Sequence, residues 1–334
     1  MSPLPHVHIL LINFNGWRDT VECLDSVFAL NYPDFSVIVC DCASADDSLD
    51  QLATWRRDDP AICRAVIDET DIGQAQQSGT NVTVIRLAAN RGFTGGNNAG
   101  LRHLLETNAE GLVWILNNDT IIAPESLREM VRCAEEDRTV GAVGATLLEY
   151  KDREMIQAAA GGTISRWTGM AHAAFPGAPR ASARELRPRF NYICGGCLLI
   201  PLSVLRRVGL FDERFFIYTE DADLSLRIAA GGRKLAYCAS AEVWHKGGAT
   251  TVGGSPFHDF HNVRSALLFA HKYNRRGFPA SLAYSVYRCV LPKVVRGQWR
   301  RLSSVFRAYR DVFSTLRDLR RVPERSVPPP AAPW

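Results

Sequence analysis

The chain is expected to fold as an α/β protein, with a mostly parallel sheet flanked by helices and a helical extension at the C-terminus. Three observations carry that expectation. From residue 7 onward, apolar β-branched runs alternate with segments of helical period. Each run ends in polar residues, at the edge of the sheet where open α/β folds bind ligands. The basic residues are crowded toward the end of the chain: residues 288–334 hold eleven basic residues against three acidic ones, leaving 28 basic and 32 acidic residues over 1–287.

The elements follow in order. Val7–Phe14 (VHILLINF) reads as a buried strand, and the segment after it sets Val21, Leu24, Val27 and Phe28 on one helical face. Phe35–Asp41 (FSVIVCD), Val82–Leu87 (VTVIRL) and Leu112–Leu116 (LVWIL) read as further strands, with a helix over Gly95–Thr107. Strand ends present Asn13 and Asn15, then Asp41, then Asn90 and Arg91, then Asn117, Asn118 and Asp119. Residues 150–190 are rich in Gly, Ala, Arg and Pro and read as a long loop or short strands. Pattern returns over Tyr192–Pro201, followed by a helix reaching Val208 and another from Glu220 to about Ala230, stopped by Gly231 and Gly232. Residues 256–275 and 280–322 read as helical, and 323–334, with Pro328–Pro330, as a disordered Pro-rich tail.

With 334 residues, 46% hydrophobic and 22% charged, the composition is globular and excludes disordered, collagen-like and mucin-like chains. The net charge of +4 averages a −4 body and a +8 end. Nine cysteines lack a disulfide-framework spacing. The first residues have no basic run, and no stretch approaches the ~18 apolar residues of a membrane span. A reducing cytoplasmic compartment is the expectation.

Several motifs can carry chemistry. LNNDT (Leu116–Thr120) ends a strand on a carboxylate that suits a hard divalent cation bridging phosphate oxygens, although Asn and Asp also favour plain turns. EDAD (Glu220–Asp223) opens a helix with three acids; such acids commonly complement the helix dipole. Here they follow the hydrophobic stretch Phe215–Tyr218, a setting that suits a general base. Arg227, four residues beyond Asp223, lies on the same face and would hold it ionised. VWHKGG sets His245 after an apolar segment, and imidazole is a ligand for Mn²⁺-like ions. NRGFTGGNNAG (Asn90–Gly100) can bring backbone close to an anionic ligand, but it matches neither the Walker nor the G-x-G-x-x-G pattern. CGGC (Cys194–Cys197) has redox spacing without the helix start that a redox pair uses, and reads as buried small residues. His258 and His261 lack the partners that would complete a zinc site.

Taken together and in order, Asn13–Asn15, Asp41–Asp46 (DCASAD), Asn90–Gly100, Asn117–Asp119, Gly195–Cys197, Glu220–Arg227 (EDADLSLR) and His245–Gly248 resemble the inverting glycosyltransferases of family 2. The resemblance spans about residues 7–250. Within the family it is similar to the rhamnosyltransferase-like branch of bacterial surface polysaccharide synthesis. It implies the Rossmann-like GT-A fold, with a catalytic domain over 1–255 whose donor-binding half is about 1–120 and acceptor half about 121–255. It also implies roles. Asp41 and Arg91 would contact the base and ribose of a UDP- or dTDP-sugar, with Asn13, Asn15, Asn97, Asn117 and Asn118 around the donor. Asp119 and His245 would hold Mn²⁺ or Mg²⁺ on the diphosphate. Asp221 would be the catalytic base, with Glu220 and Asp223 supporting acceptor binding and base orientation. Gly195, Gly196 and Cys197 would line the cleft between donor and acceptor. Asn117 stands where many relatives have Asp, so the metal would rest on Asp119, His245, diphosphate oxygens and water; Cys42 stands where Asn is common after the base-contacting Asp, a departure that bears on which base is selected.

The basic region 256–322 has Leu302, Val305, Phe306, Tyr309, Phe313 and Leu316 at helical spacing with arginines between them. This fits an amphipathic helix on an anionic membrane surface, through residues 285–322, or one packed on the catalytic domain or another subunit. A lipid-linked acceptor, common in the family, favours the membrane, with the protein peripheral on the inner face of the cell membrane. No nucleic-acid recognition fold accompanies it, so nucleic acid is not an expected partner. Two alternatives to the transferase stand: a sugar-nucleotide pyrophosphorylase, for which the chain lacks the Gly-rich basic loop after strand one, and a non-catalytic nucleotide-sugar-binding scaffold.

Overall fold

In the computed structural model, which describes residues 4–74, 79–247 and 254–319, the apolar run Val7–Asn13 is strand β1, buried on both faces. Helices above and below a parallel strand require that pattern. Helix α1 (Trp17–Val27) follows, then β2 (Phe35–Asp41), α2 (Ser48–Thr54), β3 (Arg64–Asp68), β4 (Val82–Arg86), α3 (Gly92–Glu106) and β5 (Leu112–Asn117). These five strands are parallel, in the order β3-β4-β2-β1-β5. Their registers set Asn13 beside Asp41 and Ile12 beside Asn117. The polar strand ends therefore emerge along one rim.

The glycines of α3 have a packing role. A Cβ on Gly96 would lie 2.7 Å from Cys42 Sγ and 3.0 Å from Ile12 Cγ2, and one on Gly100 would overlap Leu10. Glycine at these two positions lets α3 settle onto β1 and β2.

The second half comprises β6 (Thr120–Ile122), α4 (Ser126–Glu136), β7 (Val140–Glu149), β8 (Ile156–Ala159), β9 (Gly161–Ile164), β10 (Ala171–Ala173), β11 (Tyr192–Ile193), β12 (Cys197–Pro201), α5 (Leu202–Val208), α6 (Glu220–Ala230) and β13 (Lys234–His245). Strand β12 is antiparallel to both β5 and β7, while β13 is parallel to β7 and antiparallel to β6. The main sheet thus continues β5-β12-β7-β13-β6, mixed but mostly parallel, with helices on its faces.

The C-terminal region forms α7 (Pro256–Tyr273), α8 (Phe278–Ser285), a π-helical turn over Val286–Val290, α9 (Leu291–Val295) and α10 (Trp299–Leu319). Phe215, Ala222 and Leu226 share a core with Val263 and Leu267 of α7 and with Leu302, Val305, Ala308, Val312 and Leu316 of α10. Ion pairs Arg264–Asp311 and Arg301–Asp259 fasten α10 to α7. This corrects the membrane-lying reading of α10: Leu302, Val305 and Leu316 are covered by protein, and only Phe306 and Phe313 of the predicted stripe are exposed. The rest of the expected membrane segment, 320–322, and the Pro-rich tail, 323–334, lie outside the described residues.

Candidate active site

The antiparallel register of β13 with β6 sets His245 opposite Thr120. Asp119, one residue upstream, is brought beside it across 126 residues of sequence: Asp119 Oδ1 lies 3.2 Å from His245 Nε2. The Lys246 N–H donates to the Asp119 carbonyl at 3.0 Å and holds the two strand ends together. His245 Nδ1 donates to Gln157 Oε1 at 2.7 Å, and the Gln157 amide nitrogen faces Glu149 Oε2 at 3.4 Å. With the Gln157 nitrogen turned to a carboxylate, its oxygen faces the imidazole, so Nδ1 carries a proton and Nε2 is the nitrogen turned toward Asp119. Asn117 Nδ2 lies 3.1 Å from the same Nε2.

An imidazole nitrogen and a buried carboxylate oxygen converging on one point form a donor set that fits Mn²⁺ or Mg²⁺. Among the described residues no group of three or more His, Cys, Asp or Glu side chains gathers to hold an ion. Ligands from outside the protein must therefore complete such a site.

Asp221 stands at the start of α6, after Tyr218 and Thr219, two non-glycine residues with left-handed φ of 71° and 67°. Strained backbone of this kind clusters at functional sites. Asp221 Oδ2 accepts from the Gly195 N–H at 2.9 Å and Oδ1 from the Ala222 N–H at 2.7 Å. Burial raises its pKa and these amides pull against that rise. Glu220 beside it is pushed well above the carboxylate range, first by burial and then by the Asp221 charge, and its Oε2 has no hydrogen-bond partner. The proton of the pair therefore resides on Glu220 and the negative charge on Asp221, where two amides stabilise it.

Gly195 and Gly196 join the two centres. A Cβ on Gly195 would lie 3.2 Å from Asp221 Cβ and 3.1 Å from Phe93, and one on Gly196 would lie 3.2 Å from Asn117 Nδ2. The Asn117 N–H donates to the Gly196 carbonyl at 3.1 Å. One continuous wall thus runs Asp221–Gly195–Gly196–Asn117–His245, and these residues, with Glu220, line a cleft of about 330 Å³.

Along the same rim, Asn118 Nδ2 donates to Thr20 Oγ1 (2.8 Å), Thr20 to Asn13 Oδ1 (2.8 Å) and Asn13 Nδ2 to Asp41 Oδ1 (2.7 Å). Ser44 Oγ also donates to Asp41 Oδ1, at 2.6 Å. This chain links the end of β2 to the Asn117–Asp119 turn. Asn15 accepts from the Ala45 N–H at 2.7 Å, and Arg91 pairs with Glu69.

Three expected site residues lie elsewhere. Cys197 is fully buried against Trp114, whose indole donates to its Sγ at 3.4 Å; Cys194 lines the cleft in its place. Asp223 is fully buried and bound by Arg227 Nε at 2.9 Å, Tyr273 Oη at 2.8 Å and Lys272. Asn97 is buried within α3, donating to the Phe93 carbonyl at 2.9 Å. Burial pushes both thiols of the CGGC run up to about 12, far from a redox-active thiolate. Sequence reasoning missed Thr20, Gln157 and the cleft-lining Asn262; none of them belongs to a motif that marks a site.

A sheet of this topology with acids and a histidine at its rim is the GT-A fold. The family model described as glycosyltransferase like family 2 matches residues 5–256, and the chain belongs to that family. It is 27% identical over 262 residues to the N-acetylglucosaminyl-diphospho-decaprenol L-rhamnosyltransferase of Mycobacterium tuberculosis, covering 74% of this chain and 81% of that protein. It is 26% identical to the low-salt glycan biosynthesis hexosyltransferase Agl10 of Haloferax volcanii, covering 54% of this chain and little more than half, 57%, of that protein. In fold it is similar to the mannosyltransferase PcManGT of Pyrobaculum calidifontis, solved with GDP-Man and Mn²⁺ (TM-score 0.55, 16% identity, 93% of this chain and 88% of that one). It is also similar to GalNAc-T7 solved with UDP, GalNAc and Mn²⁺ (TM-score 0.59, 15% identity, 98% of this chain and 60% of that one).

Proposed function

We propose that the protein is an inverting, metal-dependent glycosyltransferase that moves a hexose, with rhamnose the favoured sugar, from a UDP- or dTDP-sugar onto a saccharide carried on a lipid diphosphate. The observation that carries this reading is the Gly195–Gly196 wall, along which the Asp221 carboxylate and His245, the neighbour of Asp119, line one cleft. A single ionised carboxylate, Asp221, beside a protonated Glu220 suits a single displacement.

In this reading Asp221 takes the proton of the acceptor hydroxyl. The Gly195 and Ala222 amides hold its two oxygens in position, and protonated Glu220 can donate a hydrogen bond to the acceptor. Asp223, through Arg227 and Lys272, anchors α6 and so orients the base. General base catalysis supplies about 10²–10⁴-fold. Asp119 and His245 would hold Mn²⁺ or Mg²⁺, which when bound offsets the charge growing on the leaving diphosphate. Asp41, with Asn13 and Ser44, and Arg91 recognise the nucleoside, with Asn15 and Asn118 at the same rim. A lipid-linked acceptor requires work at a membrane surface, which we assign to the peripheral, arginine-rich C-terminal region; among the described residues no helix is long and apolar enough to cross a membrane.

The test is nucleoside diphosphate release from a panel of UDP-, dTDP- and GDP-sugars, with Mn²⁺ and polyprenyl-diphosphate-linked saccharides. Release from one donor that requires both metal and acceptor is the expected result. No release from any donor would overturn the reading in favour of a scaffold.

A further inference from the structure

With most of the apolar stripe of α10 covered by α7, the densest run of exposed apolar side chains in the C-terminal region lies just before it. Tyr287, Leu291, Val295 and Trp299 recur every four residues and are 64%, 50%, 85% and 65% exposed. Val286 and Val294 beside them are also exposed. Soluble surfaces rarely show so many large apolar side chains in so short a run. Arg288, Arg296 and Arg300 follow Tyr287, Val295 and Trp299 directly; all three are exposed, and none is in an ion pair among the described residues. The one lysine of the run, Lys293, is instead buried on Asp259. No acidic residue occurs between Tyr284 and Arg300.

The position of this run relative to the cleft is equally specific. Tyr284 and Arg288 border a small cavity together with Thr168, Met170 and Asn262. Met170 and Asn262 also line the catalytic cleft. The apolar, basic surface and the cleft therefore meet along one seam.

We infer that residues 284–300 form a docking surface for an anionic lipid bilayer, placed so that the catalytic cleft opens beside the lipid headgroups. Aromatic and branched side chains enter the headgroup boundary while the adjacent arginines pair with lipid phosphates, the arrangement by which interfacial helices bind. Charge argues against a second copy as the occupant, because a two-fold contact would set an all-basic patch against itself. The surface adjoins the site of the proposed transferase and gives its lipid-linked acceptor a route in; the inference rests on that reading for its use, though not for its measurement.

The test is sedimentation of the full chain with vesicles of phosphatidylcholine alone or mixed with phosphatidylglycerol, without donor or acceptor. Wild type should pellet with anionic vesicles only. The variant Arg288→Gln/Arg296→Gln/Arg300→Gln should bind them roughly hundredfold more weakly. The variant Tyr287→Ser/Val295→Ser/Trp299→Ser should be released by salt that leaves wild type bound. These side chains are exposed, and an unchanged circular dichroism spectrum would verify that both variants fold. Absence of wild-type binding, or binding at the wild-type level by both variants, would overturn the inference. So would a wild-type dimer that the Ser variant turns into a monomer while neither binds vesicles. Vesicle binding without transferase activity would instead sink the functional reading and leave this surface standing.

Discussion

Gln157 Oε1 accepts the Nδ1 proton of His245 at 2.7 Å, which leaves Nε2 as the ring nitrogen that faces Asp119. The bond reaches from β8 to the end of β13 and fixes both the ring's orientation and its tautomer. Gln157→Leu should weaken Mn²⁺-dependent donor binding by about 10–100-fold while leaving metal-free nucleotide binding and melting temperature close to wild type. Calorimetry with and without Mn²⁺ reads this. Equal loss in both conditions would mean that Gln157 serves only the local fold.

The charge of the Glu220–Asp221 pair predicts a pH profile. Asp221 must be ionised to accept a proton, and burial raises its pKa. The rate should therefore fall on the acid side, with a midpoint above the ordinary carboxylate value of about 3.9. Asp221→Asn should lower kcat by about 10²–10⁴-fold and remove that acid limb. A variant that retained the limb would assign it to another group.

Glu220 predicts a stability effect of definite sign. Its folded pKa lies well above the unfolded value, chiefly through burial. Below the unfolded value, about 4.3, both states are protonated and ionisation has no effect. As pH rises past it, the unfolded chain ionises first and the folded state loses stability. Glu220→Gln avoids that loss. Its melting temperature should exceed wild type at pH 8, with the gap closing toward pH 4; a gap that widens toward acid would contradict the assignment.

Gly195→Ala tests the wall itself. The added methyl would sit 3.2 Å from Asp221 Cβ and 3.1 Å from Phe93, tighter than ordinary contact, so the carboxylate must shift. Turnover should drop at least tenfold, the effect of about 1.4 kcal/mol on the barrier, with donor affinity unchanged. A comparable loss of donor affinity would mean that the wall is part of the donor site.

The parallel core was legible because its strands are buried on both faces: Val7–Asn13, Phe35–Asp41 and Leu112–Asn117 are nearly continuous apolar runs. Strand β7 reads poorly because Gly and Ala interrupt it, and β13 because half its residues are polar or small and only partly buried. Asp119, His245 and Asp221 could be singled out from their motifs, but the distance between them depends on the β13–β6 register and on two glycines, which no local pattern encodes. The α10 stripe was read correctly as apolar; periodicity does not say what covers a face, and here α7 does.

The central claim is that one cleft divides its labour, with Asp119 and His245 holding the donor through a metal and Asp221 acting only on the acceptor. Calorimetric titration of UDP and dTDP into wild type, Asp119→Ala and Asp221→Asn, each with Mn²⁺, tests it most directly. Wild type and Asp221→Asn should bind the preferred nucleotide equally, while Asp119→Ala loses the Mn²⁺-dependent part. Loss of affinity in Asp221→Asn as large as that in Asp119→Ala would contradict the account.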